Sequence, residues 1–151
     1  MSKKLVVLTG LVALLLGAGA GAAAEKKVKM QDLPLAVQKI VTEQSKGATL
    51  KGLSTEVDKG KTIYEAELTV NGHGKDVSID AQGKIVSVEE EVAIESIPGP
   101  AREAIQKSAA KGKILKLESV NEGGKTFYEA QLQKGAKKSE IKVDANGKPV
   151  K

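Results

Sequence analysis

The stretch "KTIYEAEL" at residues 61–68 returns as "KTFYEAQL" at residues 125–132. Tyr64 and Tyr128 are 128 − 64 = 64 positions apart, and the same offset works well beyond the octet. It pairs Pro34 with Pro98, Leu53 with Leu117, Gly60 with Gly124, and "DAQGK" at 80–84 with "DANGK" at 144–148. From 34 to 86 against 98 to 150 no gap is needed, and 14 of the 53 aligned positions are identical, where about four are expected from ordinary residue usage. Apolar character persists where letters differ, as in Leu33/Ile97, Val41/Ile105, Val77/Ile141 and Ile79/Val143. Such a period marks an internal duplication whose copies are long enough to be small folding units.

Each copy reads the same way. "DLPLAVQKIVTEQSKG" places Leu33, Val37, Ile40, Val41 and Gln44 on one helical stripe, with proline at its start and Gly47 at its end. Its partner, "SIPGPAREAIQKSAAKG", uses Ile97, Ala101, Ala104, Ile105 and Ala109 and closes at Gly112. Both helices are short and amphipathic, so each needs a surface to lie on. Strand patterns follow. "TLKGLSTEV" carries Gly52 as an expected bulge. "TIYEAELTV" sends Tyr64, Ala66 and Leu68 one way and Ile63, Glu65 and Glu67 the other. "NGHG" and "DAQGK" turn the chain, and "IVSVEEEV" ends the copy. The fold class expected is therefore α+β: a tandem repeat of a short helix packed on a three- to four-stranded antiparallel meander. The helix covers the Tyr/Ala/Leu face and water is expected on the other.

The N-terminus carries a separate message. Lys3 and Lys4 precede an apolar core from Leu5 to Leu16, and small residues lead to Ala22-Ala23-Ala24 before Glu25. These are the parts of a cleaved secretory signal peptide, with cleavage expected between Ala24 and Glu25. The division expected is a signal peptide at 1–24, a linker at 25–31, one repeat at 32–92 and a second at 93–151 whose last strand is truncated. No cysteine stands at the cleavage site to make a lipoprotein, so a secreted or periplasmic protein without stable membrane insertion is expected. Removing the signal leaves 24 − 2 = 22 basic residues against 19 acidic ones, a net of +3.

Composition excludes several functions. With no cysteine, thiol catalysis, cysteine-ligated zinc and disulfides are impossible. One arginine and three aromatic residues make a poor nucleic-acid binder, which needs basic stripes and stacking rings.

With the helix-plus-meander copies in hand, the run "KGKTIYEAELTVNGHGKDVSIDAQGKIVSVEEEV" (59–92) resembles the PepSY-like family, which is grouped with β-lactamase-inhibitor-protein-like folds. The resemblance covers about Leu33 to Lys148 and includes the "LP" helix start, the "Y-E-A" strand and the "D-A-x-G-K" hairpin. It implies an envelope protein with tandem α+β units, peptidase inhibition or protein binding as function, and no catalytic residues.

The residues that could carry chemistry agree. His73 is the sole histidine and is read as a turn residue in "NGHG", without an orienting partner. Each "D-A-x-G-K" offers one carboxylate where a calcium loop needs several oxygen ligands, so both are read as hairpins. Glu65 and Glu67 share a strand face, which a wet surface would leave with similar acidities. No catalytic, cofactor-binding or metal-binding residue is assigned. What remains is a candidate partner-binding face of Ile63, Glu65, Glu67, Phe127 and Glu129, apolar centres with an acidic surround. An edge-to-edge join of the two sheets would make it one surface. The partner expected is a protein or peptide of the cell envelope, and the truncated second sheet leaves an edge open to a partner segment. The alternative is a sensor or scavenger of cations or small cationic ligands, using Glu65, Glu67 and Glu89–Glu91.

Overall fold

The computed structural model describes residues 25–150; the expected signal peptide lies outside them. The described chain is α+β. Eight strands form one antiparallel sheet whose spatial order is the order of the sequence. They are β1 (Lys26–Lys27), β2 (Thr49–Asp58), β3 (Lys61–Val70), β4 (His73–Asp80), β5 (Ile85–Glu91), β6 (Lys113–Glu122), β7 (Lys125–Lys134) and β8 (Lys137–Asp144). Helix α1 (Leu35–Gln44) connects β1 to β2, and α2 (Gly99–Ala109) connects β5 to β6. The segment 25–31, expected as a linker, holds β1 and the start of a 3-10 turn at Met30–Asp32.

Local chemistry sets these elements. Helix α1 begins after Pro34, whose carbonyl accepts the Gln38 N–H at 2.9 Å, and Pro98 does the same for Arg102 at 2.9 Å. The β2–β3 and β3–β4 hairpins turn through Lys59-Gly60 and Asn71-Gly72, all four with positive φ, as two-residue turns matched to strand twist require. His73 is not in the turn: it opens β4, exposed, opposite Val70. The expected bulge falls between Leu50 and Gly52, and a second lies between Ile114 and Lys116.

Two apolar cores lie on one face of the sheet. Leu33, Val37 and Val41 bury Ala66, Leu68, Val77 and Ile79. Ile97, Ala101, Ile105 and Ala109 bury Leu117, Ala130, Leu132 and Val143. Ile40 and Gln44, expected on the first helical stripe, flank it half-buried. The two halves meet through the β5–β6 ladder, which pairs Ser87–Glu91 with Glu118–Glu122. The sheets thus join edge to edge.

The Asp-x-x-Gly hairpins are folding devices. Asp80 Oδ1 accepts the N–H groups of Gln82 and Lys84 at 3.0 and 2.9 Å, and Asp144 Oδ1 those of Asn146 and Lys148, each at 2.9 Å. Their glycines have φ of +83° at Gly83 and +76° at Gly147. A Cβ on Gly83 would sit 2.9 Å from the Ala36 carbonyl oxygen, and one on Gly147 would collide with the Pro100 carbonyl. Each hairpin therefore docks against the first turn of a helix at a point only glycine permits. Gly83→Ala and Gly147→Ala each combine a left-handed backbone penalty with that clash. The expected cost is about 2 kcal/mol or more, read as a fall of roughly 5–10 °C in Tm by circular dichroism.

Candidate functional site

Cross-strand partners share a face of a sheet, so the register defines what lies opposite the helices. One row runs Gly52, Glu67, Asp76, Glu89, Val120, Phe127 and Asp144 across β2 to β8. A neighbouring row on β5 to β8 contains Glu91, Glu118, Glu129 and Lys142. Glu65 lies beside them on β3, opposite Ser54 and Ser78.

This face is not the wet surface that the alternation predicts. Glu118 and Val120 are each 2 % exposed and Glu129 is 5 % exposed, although the helices and both cores occupy the other side. Oxygens of Asp76, Glu89 and Glu118 lie within 4.8 Å of one another, while their strands span two interstrand spacings, about 9.5 Å.

Crowding carboxyl groups in a half-dry environment changes their acidity. Burial, followed by the charge of Asp76, pushes Glu65 up to about 7. Burial, followed by Glu118 and Asp76, pushes Glu89 up to about 7. Asp76 rises to about 6 through burial, and Lys116 partly offsets it. Burial and the charge of Glu140 raise Glu129, and the two carboxyl groups share a hydrogen bond. The expectation that nothing distinguishes the acids here is overturned by this burial.

Two lysines manage the remaining charge. Lys116 Nζ lies 2.6 Å from Glu118 Oε1. Burial alone would lower Lys116, but that hydrogen bond and the charges of Glu118, Asp76 and Glu89 raise it. Lys142 lies 3.8 Å from Glu122 and 5.2 Å above the Phe127 ring centre, a cation–π arrangement.

The five residues proposed from the sequence share this face but fall into two groups. Ile63, Glu65 and Glu67 lie on β3, Phe127 and Glu129 on β7, about 19 Å apart by strand spacing. Between them sit Asp76, Glu89, Lys116, Glu118 and Val120. Asp76, Lys116, Glu118 and Val120 were missed because they become central only once β5 pairs with β6. The available signal was alternation along "LESV", which turns Glu118 and Val120 away from Leu117. Glu90 is on the helix side, 3.2 Å from Lys75, and the exposed Glu91 accepts the Gly74 N–H at 3.2 Å.

Asp76, Glu89 and Glu118 could offer oxygen ligands to a hard cation, but three fall short of the six to eight that calcium takes, and Lys116 competes for Glu118. No helix among the described residues is long and apolar enough to cross a membrane.

A single antiparallel sheet with two helices on one face and an acidic opposite face defines an α+β scaffold. The chain belongs to the PepSY-like family, described as "Putative beta-lactamase-inhibitor-like, PepSY-like", whose model matches residues 22–87 and again 63–151. Among solved structures it is similar to a "putative periplasmic" protein of Bacteroides eggerthii, with 18% identity, TM-score 0.66 and coverage of 79% of this chain and 86% of that one. A DUF2874 family protein of Bacteroides uniformis matches with 17% identity, TM-score 0.63 and coverage of 78% and 86%. A BLIP-like protein of Bacteroides fragilis matches with 20% identity, TM-score 0.58 and coverage of 79% and 84%. No curated protein matches the sequence.

The raised acidities carry a sign. A carboxyl with a folded pKa above its unfolded value holds its proton more tightly in the native state. Its stabilisation is fully present below the unfolded pKa and is lost as pH climbs through the folded one. For Glu65 and Glu89 that window runs from 4.5 to about 7. Tm should therefore rise by roughly 5 °C between pH 8 and pH 5, and the Glu65→Gln/Glu89→Gln double variant should flatten the profile. Scanning calorimetry across this range checks both.

Proposed function

We propose that this chain is a non-enzymatic binding module of the cell envelope, secreted or periplasmic, whose helix-free face captures a protein or peptide carrying cationic side chains. The observation that carries this reading is the set of half-buried acids Glu65, Asp76 and Glu89, with the buried Glu129, gathered on the one face that no helix covers. The described chain is otherwise rich in lysine, so the charge is segregated rather than scattered. Ile63 and Phe127, both half-buried, add apolar contact to the acidic field, the composition of a protein-binding patch. Inhibition of a peptidase or other hydrolase is the form of binding to test first, given the family's description. In this reading the two halves are tandem copies of one helix-on-meander unit, and joining their sheets brings two acidic faces into one surface.

A cationic partner favours the ionised carboxylates, so capture should release protons and tighten as pH rises from 6 to 8. Phe127→Ala and Glu89→Gln should each reduce recovery of the partner from native envelope extract at least tenfold, read by quantitative mass spectrometry. Thermal unfolding at pH 8 should stay within a few degrees of the parent. Equal recovery of the same proteins by both variants would show that this face is not the contact surface.

A second reading, uptake of a metal ion or small polycation, is favoured by the convergence of Asp76, Glu89 and Glu118 oxygens. Titration calorimetry with calcium, zinc and spermine separates the two. Heat that Glu89→Gln abolishes supports the second reading, and no heat at millimolar ligand removes it.

A further inference from the structure

The outer edge of β8 is built like a ladder rail with no second rail. The Lys142 carbonyl accepts the Val150 N–H at 2.9 Å, and the Asp144 N–H donates to the Lys148 carbonyl at 2.9 Å. The β7–β8 register has no irregularity from Lys137 to Asp144. Antiparallel alternation then directs the N–H and C=O of Glu140 and Lys138 to the same outer edge. Among the described residues, no strand pairs with that edge beyond the bridge between Val143 and Pro149.

The other half of the molecule shows what such an edge accepts. There β4 occupies the position of β8 at the offset of 64, and β5 pairs with it from Lys75 to Ile79. Val77, beneath this pairing, is 0 % exposed, whereas its counterpart Ile141 is only half-buried. Gly74, Lys75 and Asp76 are half-buried, and their counterparts Lys138, Ser139 and Glu140 are exposed. The strand that covers β4 is "IVSVEEE": Val88 lies opposite Val77, Glu90 reaches Lys75 at 3.2 Å, and Glu91 accepts the Gly74 N–H at 3.2 Å. Strand β8 is more basic than β4: it carries Lys137, Lys138 and Lys142 with Glu140 and Asp144, where β4 has Lys75 with Asp76 and Asp80.

We propose that the outer edge of β8, over Lys138–Ile141, accepts an extended acidic segment of another protein as an added antiparallel strand. An apolar side chain of that segment covers Ile141, and its acids meet Lys137 and Lys138. Main-chain pairing supplies affinity and the alternate side chains supply selectivity. A second copy of this chain is disfavoured, because its opposite edge presents Lys26 and Lys27 and like charges repel across a ladder. This site is separate from the helix-free face and calls for the opposite charge in its ligand.

The probe is a synthetic peptide of this chain's own residues 83–92, GKIVSVEEEV, added to the isotope-labelled full chain. Amide resonances of Lys138 and Glu140 should shift on titration, and their hydrogen exchange should slow. Lys138→Pro removes an outward N–H and should weaken binding at least tenfold. A peptide with all three glutamates replaced by lysine should not bind. The Lys137→Glu/Lys138→Glu variant, which keeps every backbone donor, should reverse that preference. No shift at millimolar peptide, equal binding of both peptides to the parent, or an unaltered preference in the charge-reversed variant would overturn the proposal. Concentration-dependent protection of the same amides without peptide would overturn it too, by showing that a second copy occupies the edge.

Discussion

The β5–β6 ladder is the constraint on which the molecule depends. Two apolar cores, each a helix on its own strands, touch the rest of the chain only lightly across this seam. No disulfide ties the halves together, since the sequence contains no cysteine. Five register pairs, Ser87–Glu91 with Glu118–Glu122, convert two meanders into one sheet. The same pairing brings Glu89 between Asp76 and Glu118. The seam therefore joins the acidic faces of the two halves and completes the Asp76–Glu89–Glu118 cluster.

That face holds an energetic tension. Carboxyl groups placed where water is scarce resist ionisation, and the structure relieves the cost in three ways. Glu65 and Glu89 hold their protons well above the usual carboxylate range, up to about 7, Glu129 and Glu140 share a hydrogen bond, and Lys116 lies against Glu118. A scaffold needing only stability would replace buried ion pairs with apolar residues at little or no loss. Acids retained at some thermodynamic cost fit a surface whose charge is used on a partner.

Much of the architecture was legible because it rests on local patterns. The period of 64, the two-residue alternation of "TIYEAEL" and the bulge at Gly52 each rest on one stretch of chain. The helix–sheet packing of Val37, Val41, Ala101 and Ile105 followed from helical spacing and the strands beside it. The site was only half legible. Strand alternation put Glu65 and Phe127 on the outer face, but the dryness of that face depends on convergence across β4, β5 and β6. Lys116 shows the limit well: at the offset of 64 it faces Gly52, and this divergence from glycine to a charge gave no signal of its importance. Its role exists only beside Glu118, two residues along a bulged strand. The segment 25–31 was read as a linker because two strand residues are too few to show a period.

Strand order that repeats sequence order has a kinetic consequence. Six of the seven neighbouring pairings would be closed by tight turns alone were it not for α1; with it, five are hairpins, and only β1–β2 and β5–β6 must wait for a helix to be spanned. Chain closure costs rise with loop length, and contacts close in sequence speed the search for the native state. An all-antiparallel sheet of this size usually collects slow, distant pairings; this one can zip along its length, hairpin by hairpin, with the seam closing once α2 has formed.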